Sequence, residues 1–465
     1  MYSMSNIGEK CAVFGIYGKN LDVSRLTFFG LYALQHRGQE SSGISSTDGK
    51  KIYCYKREGL VSQVFNEEKI KLLPGHIAIG HNRYSTSSGI GIENAQPIEV
   101  SDKNITLVHN GNIFSLGKLI DFLKSKGVVL SNVSDSKIVT EAIHCLVKEG
   151  MEIEEAVVKI FPLMIGSFSL LIMTKEKLIA LRDQFGIRPL SIAKLNGGYV
   201  FASETCAMHP IGATFIRDVG PGEMVVVDQN GMRSKQIVQG IQKLDIFEFV
   251  YFSRPDSNLL GKSVYDVRKK FGIDMAKEYK IKADVVIPVP ETAIPVAIGY
   301  ANATGILFEM GLIKSRYIHR TFIEPEQHIR DQGVKLKLSP LKEIIDGKRI
   351  IVIDDSIVRG TTSRQIVKML FETGAKEVHF LVSSPPVRFP DFYGIDLPRQ
   401  IDLLAFGKTV PEMNQYLGST SLNFLSYEAM IKATGLDDSL FCTSCFTGKY
   451  PIDIMERMGE VSYSI

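Results

Sequence analysis

In the segment RIIVIDDSIVRGTTSRQIVKML, an apolar run from Ile350 to Ile353 ends in two adjacent acids, Asp354 and Asp355. A Gly-Thr-Thr turn then opens a helical pattern. Ligands of open α/β sheets bind at the C-terminal ends of their strands. The two acids can accept hydrogen bonds from sugar hydroxyls. Arg359, Gly360, Thr361, Thr362 and Ser363 offer a cation, hydroxyls and backbone N–H groups to a phosphate at a helix N-terminus. An isolated Asp-Asp-Ser would read as a helix cap. Acids, turn and buried strand in one short segment point instead to a phosphorylated sugar.

A second set lies near the start of the chain. Cys11 heads the strand-like run CAVFGIYG, directly after ten residues, MYSMSNIGEK. Removal of that decapeptide makes Cys11 the first residue. Its α-amine, with a pKa of about 7.7 to 8.0, then lies within reach of a thiol of about 8.5 and can serve as its general base. An isolated cysteine at a strand start is more often a small buried apolar group. The segments LYALQHRGQESSGI, HNRYSTSSG and LVHNGN bear on that choice below.

The elements that must position these groups fall into two patterns. From Cys11 to about Gln236, short β-type runs dominate: CAVFGIYG, HIAIGHNRYS, ITLVHNGNI, SFSLLIM, KLIALRD and EMVVVDQ. Between them, Asp135 to Glu149 predicts a helix, with Ile138, Ala142, Ile143, Leu146 and Val147 at helical spacing and Ser134 as N-cap. Strands with packed helices predict a layered α+β domain. After about Lys243 amphipathic stretches alternate with fully apolar runs, ADVVIPVP, RIIVIDDS, EVHFLVSSPP and IDLLAF, as in strands of a parallel sheet buried on both faces. The predicted boundary falls between Ile241 and Leu260.

Bulk properties agree with two domains. A chain of 465 residues exceeds one ordinary core, and 45% hydrophobic with 23% charged residues is ordinary globular composition. A net charge of +3 gives no broad nucleic-acid footprint. No run approaches the ~20 apolar residues of a membrane span, and the first ten residues lack a secretory apolar stretch, so a cytoplasmic protein with small-molecule partners is expected. Six cysteines, Cys11, Cys54, Cys145, Cys206, Cys442 and Cys445, are too scattered for a disulfide framework.

The first half, with Cys11 and its three companion segments, resembles the glutaminase domain of N-terminal-nucleophile amidotransferases. The resemblance implies a four-layer αββα fold. It gives Asn110 and Gly111 the role of oxyanion donors, Arg83 that of holding the glutamine α-carboxylate, and Asp135 that of holding the α-ammonium, with Gly38 and Thr86 lining the pocket. Singly, each has a plainer reading: a surface ion pair for Arg83, a first-turn acid for Asp135, a hairpin turn for Asn110-Gly111.

The second half resembles type I phosphoribosyltransferases, an α/β fold with a mostly parallel sheet. DVVIPVPETAIPVAIGYA matches the family's pyrophosphate loop, which brings Glu291, Thr292 and Ala293 to the pyrophosphate and Thr292, Asp354 and Asp355 to magnesium. Relatives often carry Asp-Ser-Gly there. GLIKSRYIHRTFIEPEQHIRDQGVKLKL, with Lys314, Arg316, Arg320, Arg330, Lys335 and Lys337, reads as a cationic lid, and in the family this loop closes over the substrate.

Together the halves resemble the glutamine phosphoribosylpyrophosphate amidotransferases. The resemblance implies a propeptide at 1–10, a glutaminase at 11–240, a phosphoribosyltransferase at 255–440 and a C-terminal extension at 441–465. It implies ammonia release from glutamine at Cys11 and ammonia attack on phosphoribosyl pyrophosphate to give 5-phosphoribosylamine. Tyr84 and Ile323 would couple the sites, purine nucleotides would act as feedback inhibitors, and the assembly would be a homotetramer. One branch of the family carries a [4Fe-4S] cluster on four cysteines. Two match Cys442 and Cys445, but the others fall at Asp245 and Asp391. Carboxylates suit sulfide clusters poorly, so no stable cluster is expected. A Cys-Cys-Asp-Asp metal site, a redox pair and a disulfide stay open. Competing activities are ammonia transfer to a hexose phosphate or to aspartate, base salvage, and a silent regulatory homologue. IDDSIVRGTTS argues against the first two, the glutaminase half against the third, and Cys11, Arg83, Asn110, Asp354 and Asp355 against the last.

Overall fold

The computed structural model describes residues 11–84, 91–100, 102, 104–129, 133–315, 337–394, 397 and 399–462. The first half holds two sheets. One has seven strands in the order Thr214–Asp218, Ser191–Leu195, Gly198–Ala202, Ala12–Tyr17, Ile77–Arg83, Ser41–Thr47 and Ile52–Glu58. The other has six, in the order Gly231–Gln236, Glu223–Asp228, Leu178–Arg182, Ile165–Met173, Thr106–Ser115 and Ile98–Glu99.

Period-two alternation explains the layers. Ala12, Phe14 and Ile16 face a core shared with Val23 and Leu31 of the helix Val23–Ala33. Val13 and Tyr17, pointing the other way, meet Val108, Leu171 and Val225 between the sheets. The outer face of the second sheet, with Leu170 and Ile172, packs on Ile138, Ala142, Ile143 and Leu146 of the helix Asp135–Lys148. This is the expected αββα stack. The helix begins where its capping residue predicts, with Ser134 accepting from the Lys137 N–H, and Val147 is only partly buried.

The second half is built on five parallel strands, in the order Leu307–Phe308, Val285–Pro288, Arg349–Asp354, Glu377–Val382 and Ser421–Phe424. Val286, Ile351 and Leu381 pack under the helices Val264–Glu278 and Ile294–Thr304. Ile287, Ile350 and Phe380 face the helices Thr361–Glu372 and Val410–Leu417. One expectation is corrected. IDLLAF is no strand: Gln400–Asp402 forms a 3-10 turn, and Leu404 tucks beneath Gly360, its N–H bonded to Val358 O at 2.7 Å. A short apolar run buries equally well under a loop.

The halves meet along a buried charged seam. Arg37 lies between Glu204 and Glu248, and Arg188 between Asp245 and Glu248, with all five side chains buried. Leaving one partner of such a pair uncompensated costs about 3–5 kcal/mol, so each charge fixes its neighbours' positions. Burial would push the Glu204 carboxyl up, but Arg37 and His36 hold it well below the usual range.

Candidate active site

Cys11 directly precedes the strand Ala12–Tyr17, whose Ala12 pairs with Asn82, so the thiol sits opposite the end of the Ile77–Arg83 strand. Its Sγ is 4.0 Å from Tyr84 O. Ser41 pairs with Arg83 from the other side, and the Arg83 side chain is largely buried. Gly38 closes the same corner. A Cβ on Gly38 would lie 2.7 Å from the backbone carbons of Asn82 and Arg83, so only glycine lets the chain approach this closely.

Asn110 and Gly111 come from the strand Thr106–Ser115 of the other sheet, which packs against the strand carrying Val13. Gly111 has φ 142°, and a Cβ there would fall 2.1 Å from Ser167 O. Asn110 Nδ2 is buried and has no hydrogen-bond partner among the described residues. An orphaned buried amide is costly, and a developing oxyanion would satisfy it. Asp135 lies at the first turn of its helix. Its Oδ2 accepts from Ile113 N at 3.2 Å and is 3.5 Å from His109 Nδ1, tying it to the Asn110 strand. Burial pushes the His109 imidazole below its usual pKa and His81 down to about 3. Thr86 lies outside the described residues.

At the second centre, Asp354 and Asp355 stand at the C-terminal end of a central strand, both buried. Asp355 N donates to Asp354 Oδ1 at 2.9 Å, Ser356 Oγ to Asp355 Oδ1 at 2.6 Å, and Thr292 Oγ1 to Asp355 Oδ2. The pyrophosphate-loop residue therefore reaches the acid pair. Ala293 is buried at the start of the helix Ile294–Thr304, and Glu291 is exposed. Gly360, with φ 76°, caps the helix Thr361–Glu372, which presents an exposed Thr361, a half-buried Thr362 and a buried Ser363; Arg359 beside it is half-buried. Burial and the charge of Asp355 raise the Asp354 carboxyl well above its usual range. Two crowded acids with a hydroxyl beside them fit a divalent cation that takes its remaining oxygens from a substrate phosphate. Lys314 is exposed on the short strand Leu312–Lys314. Ile323 and the lid residues Arg316, Arg320, Arg330 and Lys335 lie outside the described residues.

The third group also converges. Asp245 pairs in register with Cys442 across a short parallel bridge, and Asp391 and Cys445 share their surroundings, all four being buried. Both thiols are free. The carboxylates are engaged: Asp245 Oδ2 accepts from Arg188 at 3.2 Å, and Asp391 accepts from Tyr393 N at 2.7 Å and Ser444 Oγ at 3.3 Å. Burial, then the two acids, push the Cys442 and Cys445 thiols up. Burial lifts the Asp245 carboxyl to about 8, against the pull of Arg188. This donor set does not fit a [4Fe-4S] cluster. The loop it braces touches the first centre, since Asn112 Nδ2 donates to Phe392 O at 2.9 Å and Ser167 Oγ to Tyr393 O.

Sequence reasoning passed over Arg37, Arg188, Glu204 and Glu248. Their one local signal is a charge set tight against an apolar strand or a glycine, as in QHRG and VFASE.

A thiol at the head of an αββα stack and an acid pair at the C-terminal end of a parallel sheet's central strand define a glutamine amidotransferase joined to a phosphoribosyltransferase. Family models for a glutamine amidotransferase domain and a phosphoribosyl transferase domain match residues 81–210 and 261–384. The amidophosphoribosyltransferase of Bacillus subtilis is 43% identical over 97% of this chain and 96% of its own length. That of Synechocystis is 47% identical over 97% and 92%. The solved B. subtilis glutamine phosphoribosylpyrophosphate amidotransferase, complexed with ADP and GMP, superposes with a TM-score of 0.89 over 96% of this chain and 98% of that one. The chain belongs to the amidophosphoribosyltransferase family, the glutamine-dependent pentosyltransferases that make 5-phosphoribosylamine at the first step of purine synthesis.

Proposed function

We propose the following assignment of that reaction to residues. With Met1–Lys10 removed, the α-amine of Cys11 takes the thiol proton and Sγ attacks the glutamine carboxamide carbon. Asn110 Nδ2 and the Gly111 N–H hold the oxyanion, while Arg83 and Asp135 hold the two charges of the amino-acid end, with Gly38 and Thr86 at the pocket wall. Ammonia leaves with the proton, and water then releases glutamate from the thioester. Tyr84 and Ile323 line the join between the sites. Ammonia that escaped to water would be protonated and lose its lone pair.

At the second centre, Asp354 and Asp355 hold the ribose hydroxyls, and Arg359 to Ser363 hold the 5-phosphate. Glu291, Thr292 and Ala293 approach the pyrophosphate together with Lys314. Magnesium held by Thr292, Asp354 and Asp355 would neutralise charge on the departing pyrophosphate. The observation that carries the reading is the buried Asn110 amide, without a partner among the described residues, in the same chain as the crowded acid pair. The test is one assay: purified protein with glutamine, phosphoribosyl pyrophosphate and magnesium should release glutamate and pyrophosphate in equal amounts. Unequal release, or none, sinks the assignment.

The same reading extends to domains at 11–240 and 255–440 with a C-terminal extension at 441–465, to a cytoplasmic homotetramer, and to purine nucleotides as inhibitors. The relative solved with ADP and GMP supports the last. Among the described residues no helix is long and apolar enough to cross a membrane. Asp245, Asp391, Cys442 and Cys445 form a metal-free brace. Protein purified without oxygen is expected to lack the broad visible absorption of a cluster and to carry only traces of iron and acid-labile sulfide. Stoichiometric iron with sulfide would overturn this, and stoichiometric zinc would revive a Cys-Cys-Asp-Asp site.

A further inference from the structure

Glutamine carries its charges at one end and its reacting amide at the other, so the pocket must keep Asp135 in register with the Asn110–Gly111 strand. One buried side chain touches the supports of both. Ile98 pairs with Leu107 and Glu99 with Thr106, and the same antiparallel register, carried back along the chain, sets Gln96 opposite His109, the residue before Asn110. The His109 N–H does not meet a ladder carbonyl there. It donates to Gln96 Oε1 at 2.6 Å. The Gln96 carbonyl turns instead toward Gly43, where a Cβ would lie 2.2 Å from it. Lys56 Nζ donates to the carbonyls on either side, Ala95 O at 2.6 Å and Pro97 O at 2.8 Å, which pins the backbone around Gln96.

A backbone N–H can only donate, so the oxygen of the Gln96 amide must face His109 and its NH2 must face the other way. There Nε2 donates to Ser136 Oγ at 3.2 Å. Ser136 Oγ passes its own proton to Asp135 Oδ1 at 3.1 Å, the Ser136 N–H reaches the same oxygen at 2.6 Å, and His109 Nδ1 is 3.1 Å from Ser136 Oγ. Gln96, His109 and Ser136 are buried, whereas 23% of the Asp135 side chain stays open for an ammonium group. A planar amide engaged at both ends in a buried network cannot swing to a new spacing without stranding a polar group.

We propose that Gln96, clamped through Ser136, is the positioning residue that holds the ammonium acceptor Asp135 in register with the oxyanion donors Asn110 and Gly111. Neither Gln96 nor Ser136 touches the substrate. The inference rests on the residue assignment above, and its test separates the two.

The full chain, supplied with phosphoribosyl pyrophosphate and magnesium, is assayed for conversion of glutamine to glutamate and of glutaramate, the same amide chain without the α-ammonium, to glutarate. In Gln96→Met, similar in length but unable to make either bond, kcat/KM for glutamine should fall about 10- to 100-fold. Glutaramate should lose less, so that the preference for glutamine shrinks at least about fivefold. Synthesis from ammonia should stay near the parent's. An unchanged preference, with both amides losing rate equally, would mark a merely structural role and overturn the proposal. Ser136→Ala opens the clamp at its far end and should shrink the same preference, and combining the two substitutions should shrink it little further, because both act through one bond. Full additivity in the double variant would equally overturn the clamp. If Gln96→Met misfolds, seen as lost synthesis from ammonia, Ser136→Ala decides alone: a reduced preference supports the clamp and a parental one refutes it. A parent that converts both amides equally well would sink the Asp135 assignment, and this inference with it.

Discussion

Cys11→Ala is expected to lose glutamine-dependent synthesis of 5-phosphoribosylamine by at least about a thousandfold, because no other group can form the thioester. Synthesis from free ammonia, measured at a pH that leaves enough of it unprotonated, should stay within about twofold of the parent, since the acid pair lies in a separate core. The contrast between the two donors is the diagnostic. An enzyme that merely needed Cys11 for folding would lose both. Cys11→Ser should fall far below the parent with glutamine, since a hydroxyl is a weaker nucleophile than a thiol even with the α-amine as its general base. Glutamine-dependent turnover persisting in Cys11→Ala would place the nucleophile elsewhere. The Asn110 amide, buried and without a partner among the described residues, would then need another explanation.

The parts legible in the sequence were those whose chemistry or packing is local. Alternation along AVFGIY separates Phe14 and Ile16 from Val13 and Tyr17 without knowledge of what covers either face, and the structure puts them in different cores. Asp354, Asp355 and the Gly360 turn could be read together because strand, turn and helix follow one another directly. Packing that depends on distant chain was not legible. Arg37 meets Glu204 across 167 residues and Glu248 across 211, and nothing near QHRG distinguishes a guanidinium aimed inward from one aimed at water. IDLLAF failed for a related reason: its apolar character reports burial, but whether as a strand or as the floor beneath Gly360 is settled by Val358 and Leu404 pairing through space. Ser421–Phe424 takes the edge of the sheet instead, although SLNF is less apolar, because Thr420 N bonds to Val378 O and starts the parallel register.

Asp355→Asn is expected to reduce synthesis from glutamine and from ammonia together, by about 100- to 1,000-fold, the usual effect of removing one charged group aimed at a transition state. The loss follows from two roles. Asp355 accepts from Thr292 Oγ1, so its charge fixes the pyrophosphate loop, and with Asp354 it supplies the negative field that a divalent cation needs. Glutamine hydrolysis without phosphoribosyl pyrophosphate should be unaffected, the reverse of the Cys11 pattern. Stability should move the other way. Without a cation, two neighbouring buried acids repel, and Asp354 is raised well above its usual range by burial and by Asp355. Removing one charge relieves that repulsion, so in the absence of magnesium Asp355→Asn should melt about 2–4 °C above the parent. Magnesium with phosphoribosyl pyrophosphate should raise the parent's midpoint and leave the variant's nearly unchanged. A variant that is inactive and also less stable without ligand would mean that the pair is a structural element, its carboxylates held by Thr292 and Ser356 rather than kept for a metal and a sugar.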